Sequence, residues 1–307
     1  MSLDIVGRIE ELKEERGVAI IAHHYAPVEV HSVADVLSDS RGFFGAIMGE
    51  IHADTILVIA PTFFAEITAA LQPDKKVLLP AKSECPVAEH RYFGFDHVAQ
   101  FKAAYPGIPL VCYGTSPLMT KLLADYVALP GEVVQTIEAI NAPEVLFVGE
   151  KNCADDARRK CRKKITPYPE NPVCNVYNGA NCRDVEALKA QYPDSCVMVH
   201  PECKPEVIEL ADYAMGTGKM RELIKADSGQ DTYILGTELG FFQRMQQEFP
   251  EKTFLHLSPY LTCNVFKPLR LDTVLNAIET GHPIVRVDKV IAGHIKALFA
   301  QLLELDL

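Results

Sequence analysis

Short apolar runs rich in β-branched residues alternate along this chain with stretches whose apolar positions recur every three or four residues. The first pattern reads as buried parallel strand, the second as amphipathic helix. Residues 1–17 predict an N-terminal helix. Three apolar runs each end in a polar residue: Val18–His23, Leu110–Tyr113 and 196–200, the last ending at His200. Twelve positions beyond those ends stand Asp35, Asp125 and Asp212, each preceded by alanine, and five further on stand Ser40, Pro130 and Thr217. Second strands are predicted at 55–60, 145–149 and 232–236. Each is followed by a glutamate (Glu66, Glu150 or Glu238), which we read as a first-turn residue complementing the helix dipole. Third strands follow Lys76, Lys164 and Lys252, spaced 88 positions apart, and run into proline-containing loops ending at Cys85, Cys174 and Cys263, spaced 89 apart.

Several independent features recurring at one interval define an internal threefold repeat. Strands alternate with helical stretches such as 117–127 and 184–192, so each unit is expected to be an αβα sandwich with a parallel sheet. The predicted architecture is α/β: three homologous αβα domains around a pseudo-threefold axis. We divide the chain as 1–106 (N-terminal helix plus repeat 1), 107–193 (repeat 2), 194–273 (repeat 3) and 274–307 (a C-terminal helical tail). Right-handed crossovers put the strand carboxyl ends on one side of each sheet, where ligands collect.

Composition narrows the class. Hydrophobic residues make up 48% and charged residues 23%, which excludes a disordered or fibrous chain. No apolar run approaches the roughly 18 residues of a membrane span, and the charged N-terminal stretch lacks the apolar core of a signal peptide. The net charge of −11 argues against a nucleic-acid-binding body. A cytoplasmic enzyme with a small-molecule substrate is the expectation. The basic run at 158–164 reads as a solvated helix face in so acidic a chain.

Nine cysteines, an odd number with no CxxC pair, argue against a disulfide framework, a zinc ribbon or a clustered ferredoxin motif. Metal ligands must then come from distant parts of the chain. Cys85, Cys174 and Cys263 occupy equivalent loops and would meet on a threefold axis. Three thiolates there describe a [4Fe-4S] cluster with one open iron, a Lewis acid suited to dehydratase chemistry. Zinc with three cysteines and a water is the alternative, which soft all-sulfur ligation makes second choice. One such cysteine alone would read as core, as Cys112 and Cys196 do inside apolar strands. Cys153 and Cys161 share a helical face, for which core is the leading reading; Cys182 and Cys203 receive no role.

The segments AHHY (22–25), SDS (38–40), AE (65–66), HPEC (200–203) and GTE (236–238), with the three spaced cysteines, resemble the quinolinate synthase family from about Gly17 to Lys267. The resemblance implies three αβα domains around a cavity with the cluster at its base. It also implies condensation of iminoaspartate with dihydroxyacetone phosphate to quinolinate, in NAD biosynthesis. By motif match Cys85, Cys174 and Cys263 are cluster ligands, and Glu202, His200 and Tyr25 are catalytic. His23, Ser40, Tyr113, Thr115, Tyr177 and Thr217 fall at substrate-binding positions. An oxidase or dehydrogenase supplying iminoaspartate is the implied partner.

Departures from the family pattern concentrate at substrate-holding positions. Thr115 stands for an asparagine, Pro130 for a serine, Tyr177 for a histidine, and Gly216 and Gly218 for two serines. Proline offers no hydrogen-bond donor and glycine no side chain. Two enzymatic readings therefore stand: quinolinate synthase, or a paralogue using the same open-iron chemistry on a less anionic substrate. A non-catalytic iron–sulfur sensor ranks below both, because His23, Tyr25, His200 and Glu202 would be superfluous in it.

Overall fold

The computed structural model describes residues 2–88 and 93–305. The first unit runs α1 (Ser2–Arg16), β1 (Val18–His23), a 3-10 turn (Val28–Val33), β2 (Val36–Ser38), α2 (Ser40–Gly49), β3 (Thr55–Ile59), α3 (Thr62–Leu71) and β4 (Lys76–Leu78). The second repeats this with α4 (Phe95–Ala103), β5 (Leu110–Tyr113), α5 (Leu118–Lys121), β6 (Tyr126–Ala128), α6 (Val133–Ala139), β7 (Glu144–Val148), α7 (Lys151–Lys160) and β8 (Lys164–Tyr168). The third has α8 (Cys182–Gln191), β9 (Cys196–Val199), α9 (Pro205–Ile208), β10 (Tyr213–Ala214), α10 (Thr217–Ala226), β11 (Thr232–Gly236), α11 (Leu239–Glu248) and β12 (Thr253–His256). The chain then adds α12 (Leu271–Thr280), β13 (Ile284–Val285) and α13 (Lys289–Glu304).

Three parallel sheets flanked by helices give three αβα sandwiches. Their strand orders, β2-β1-β3-β4, β6-β5-β7-β8 and β10-β9-β11-β12, are one topology used three times. The exception to parallel pairing is β13, which joins the β4 edge antiparallel, Ile284 opposite Leu78. The segment beyond 273 thus contributes a strand as well as helices. The central strands are almost wholly apolar and buried, as strands covered on both faces must be.

The aspartate that recurs after each first strand now has a physical role. The Asp35 carboxylate accepts from the Ile20 N–H (2.7 Å), Asp125 from Leu110 (2.8 Å) and Asp212 from Val197 (2.8 Å). Each aspartate returns its own N–H to the carbonyl of the same residue. This clamp sets the short second strand beside the first. It is backed by a lysine from the preceding helix: Lys13 on Asp35, Lys102 on Asp125 and Lys189 on Asp212. Sequence pattern alone extended a helix across 117–127; the Asp125 clamp ends α5 at Lys121 and turns the chain into β6.

Glu150 and Glu238 cap α7 and α11, their carboxylates accepting from the Cys153 and Gly240 N–H groups. Glu66 differs from expectation. It lies inside α3, whose cap is Pro61. Counted from the strands, Pro61 is the counterpart of Glu150 and Glu238.

A cavity between three strand ends

The first strand of each unit ends in the same tight turn. The N–H of Ala26 reaches the His23 carbonyl, Ser116 that of Tyr113, and Cys203 that of His200, all at 2.9 Å. These strands lie where the strand order reverses, the position at which open α/β sheets bind ligands. The turns project His23 and Tyr25, Tyr113 and Thr115, and His200 and Glu202 from three directions. One cavity is lined by His23, Tyr25, Ser40, Thr115, Tyr177, His200, Glu202 and Thr217, together with Cys85, Cys174 and Cys263. Of the site residues expected from sequence, Tyr113 alone sits behind the wall, where its hydroxyl donates to Glu202 Oε1 at 2.6 Å.

The histidines are matched. The Tyr25 N–H donates to His23 Nδ1 (3.3 Å) and the Glu202 N–H to His200 Nδ1 (3.2 Å). With Nδ1 accepting, the proton belongs on Nε2, which in His23 faces Ser40 Oγ at 3.4 Å. Burial lowers both to about 3, helped for His23 by the neighbouring His200. Both are therefore neutral Nε2–H donors near pH 7. Glu202 moves the other way: burial, and then the nearby Glu150 carboxylate, raise it above the usual carboxylate range. A carboxyl kept partly protonated near neutral pH can donate a proton as well as receive one.

The Tyr25 and Tyr177 hydroxyls meet at 2.5 Å, and Tyr177 stacks on His200 with 4.3 Å between ring centroids. Thr237 Oγ1 lies 3.5 Å from the Tyr177 hydroxyl. Thr115 lines the cavity, and its buried Oγ1 has no hydrogen-bond partner among the described residues. Phe44, Phe63, Phe64, Val87, Leu129 and Phe266 supply the cavity's apolar wall, and the acidic Asp39 and Glu238 also line it. Among the described lining residues there is no lysine or arginine.

At the starts of α2 and α10, Asp39 Oδ2 accepts from the Gly218 N–H at 3.0 Å. A β-carbon at Gly218 would collide with that carboxylate. Gly131, at φ +89°, is constrained as well: a β-carbon there would lie 2.8 Å from Gly216 Cα. Backbone contact between units closes this end.

Burial first, then Glu202 and the Cys85 and Cys263 thiols, push the Cys174 thiol well above the ordinary range; burial first, then Glu238, the Cys85 thiol and Glu202, push Cys263 up to about 12. Among the described residues no group of three or more His, Cys, Asp or Glu side chains has the spacing to hold a single metal ion. The remaining cysteines are free and dispersed. Cys153 lies under the Tyr113 hydroxyl (3.8 Å), while Cys161 points to the Val134 carbonyl, Cys182 to Glu206 and Cys203 to Gly236. Five of the six basic side chains in the 158–164 run have internal partners. Arg159 pairs with Glu209, Lys160 with Asp156 and Lys164 with Glu144, while Arg158 and Lys163 donate to backbone carbonyls.

Fold and cavity together define an α/β protein of three sandwich units whose histidines, carboxyls and thiols share one interior space. The family model described as Quinolinate synthetase A protein matches residues 7–304. Quinolinate synthase of Pyrococcus abyssi (strain GE5 / Orsay) is 33% identical over 305 residues, covering 99% of this chain and all of the relative. That of Methanocaldococcus jannaschii is 31% identical over 297 residues, 95% of each chain. That of Thermotoga petrophila is 32% identical over 277 residues, 90% of this chain and 91% of the relative. The chain belongs to the quinolinate synthase family, whose enzymes serve NAD biosynthesis. Among the described residues no helix is long and apolar enough to cross a membrane.

Proposed function

We propose that this chain condenses iminoaspartate with dihydroxyacetone phosphate to quinolinate, phosphate and two waters, with a [4Fe-4S] cluster on Cys85, Cys174 and Cys263. The observation carrying the proposal is that three cysteines from equivalent loops line the same cavity as His23, Tyr25, His200 and Glu202. The donor set fits the cluster. Three soft thiolates from separate loops, with no short-range cysteine pair, suit an iron–sulfur cluster and would hold it through three of its irons. When bound, such a cluster supplies an open Lewis-acidic iron for loss of hydroxide.

The protein's own groups do the rest. Glu202, held by Tyr113, gives a proton to a departing hydroxyl and takes one from the adjacent carbon. The neutral His23 and His200 offer Nε2–H to substrate carbonyl or carboxylate oxygens without adding charge. The Tyr25–Tyr177 pair passes a proton between two hydroxyls, and the buried aromatic wall keeps bulk water from the imine. Ser40, Thr115 and Thr217 orient polar ends of the substrate. An oxidase or dehydrogenase producing iminoaspartate would feed the site.

A second reading, a family member acting on a less anionic substrate, is favoured by the lining itself. Quinolinate formation requires two carboxylates and a phosphate to be held, yet the described lining has no lysine or arginine, and the Gly218 N–H is already taken by Asp39. Anaerobic assay with dihydroxyacetone phosphate and iminoaspartate generated in place from aspartate separates the readings. Quinolinate from the unmodified, cluster-loaded protein is the expected outcome. Its absence at full cluster loading overturns the first reading in favour of the second.

A further inference from the structure

Glu150 and Glu238 each do more than begin a helix. Glu150 Oε2 accepts from the Cys153 N–H (2.8 Å) while Oε1 accepts from the Cys174 N–H (3.2 Å). Glu238 Oε2 accepts from the Gly240 N–H while Oε1 accepts from the Cys263 N–H (3.0 Å). One carboxylate thus spans a helix start and the backbone of a proposed ligand cysteine, and the arrangement occurs in both the second and third units. The side chains are nearly inaccessible, Glu150 at 0% and Glu238 at 3% exposure. Among the described residues neither has a lysine or arginine within ion-pair distance. Burying an unpaired carboxylate is costly, and an exposed serine, asparagine or aspartate caps a helix equally well. Capping alone therefore does not account for two buried glutamates; fixing the cysteine loops does.

The first unit shows the alternative. Pro61 occupies the corresponding place, and its loop is tied two residues before the cysteine, with the Ser83 N–H donating to Thr62 Oγ1 (3.0 Å) and the Thr62 N–H to the Ser83 carbonyl (2.8 Å). Cys174 and Cys263 are thus held at their own amides, while the Cys85 loop is tied at Ser83 as well.

We propose that Glu150 and Glu238 are positioning residues that hold Cys174 and Cys263 in the orientation that receives the cluster. The proposal rests on the ligand assignment above, so its test uses both cluster-free and cluster-loaded protein. In Glu150→Gln and Glu238→Gln the side chain keeps its shape, but its single carbonyl oxygen can satisfy only one of the two N–H groups and its amide faces the other. Asp288→Asn is the control. Asp288 caps α13 through the Val290 N–H, and its side chain makes no hydrogen bond to Cys85, Cys174 or Cys263 among the described contacts.

In cluster-free protein, amide exchange at Cys263 should quicken at least about tenfold in Glu238→Gln, and at Cys174 in Glu150→Gln, the scale of one lost hydrogen bond to a charged group. Asp288→Asn should leave both rates unchanged. In cluster-loaded protein, each glutamine variant should release iron to a chelator faster than wild type and shift the electron paramagnetic resonance of the reduced cluster. Glu238→Asp, which keeps the charge but is too short to reach both N–H groups, should behave like the glutamine variant. Unchanged amide exchange at both cysteines overturns the positioning role, whether or not a cluster forms. Wild-type protein that takes up no iron while the exchange effect appears overturns the ligand assignment and leaves loop positioning standing.

Discussion

The two ends of the cavity follow opposite rules. At the cysteine end the threefold repeat is kept: three loops, three cysteines, one spacing, with a buried glutamate behind two of them. At the helix-start end the equivalent residues are Ser40, Pro130 and Thr217, which share neither size nor hydrogen-bonding capacity. A ligand that looks the same from three sides keeps three equivalent positions alike. A substrate with a carboxylate on one side and an alkyl or phosphate group on another makes each unit answer to a different group, and equivalence is lost. The scaffold clamps Asp35, Asp125 and Asp212 side with the cysteines, since a strand pair makes the same demand in every unit.

The largest expected effect tests the symmetric end. Cys85→Ala, Cys174→Ala and Cys263→Ala should each lose the cluster and all turnover, while Cys112→Ala and Cys196→Ala should keep both, as read by iron analysis and assay. A cluster retained by any of the first three would break the equivalence. Next is Glu202→Gln, which should keep the cluster yet slow turnover about a hundredfold, the scale of a general acid–base group; a wild-type rate would move proton transfer elsewhere. At the asymmetric end, Thr115→Asn, Pro130→Ser and Tyr177→His combined should raise quinolinate formation by about tenfold or more if the second reading holds, equivalent to regaining one charged hydrogen bond of about 1.5 kcal/mol. No gain would mean that the present residues already hold the substrate. The smallest effect concerns the scaffold. Asp125→Ala should lower unfolding stability by about 1.5 kcal/mol in denaturant titration, the low end for a charged hydrogen bond because the side chain is 44% exposed and screened. Iron content should be unchanged, and cluster loss would show that strand clamp and cysteine loops are not independent.

Legibility in the sequence divided along the same line. Strand pattern and cysteine spacing were readable because each unit repeats them against the same physical demand. The strands β2, β6 and β10, two or three residues long, carry too few positions for any periodicity to register. The aspartate that creates them was visible as a repeat, but its partner is a backbone N–H, which no sequence pattern displays. Glu66 misled because it resembled Glu150 and Glu238 in type and rough position, whereas the residue equivalent in the fold is a proline. The Tyr25–Tyr177 contact and the support of Glu202 by Tyr113 join residues 152 and 89 positions apart, and only the assembled units bring them together.

One measurement bears most directly on the central claim that three equivalent cysteines hold one shared cluster. Iron and acid-labile sulfide should be counted in anaerobically reconstituted wild-type protein. The account predicts about four irons and four sulfides per chain, the content of one cubane. One metal ion per chain without sulfide, or none, would contradict it.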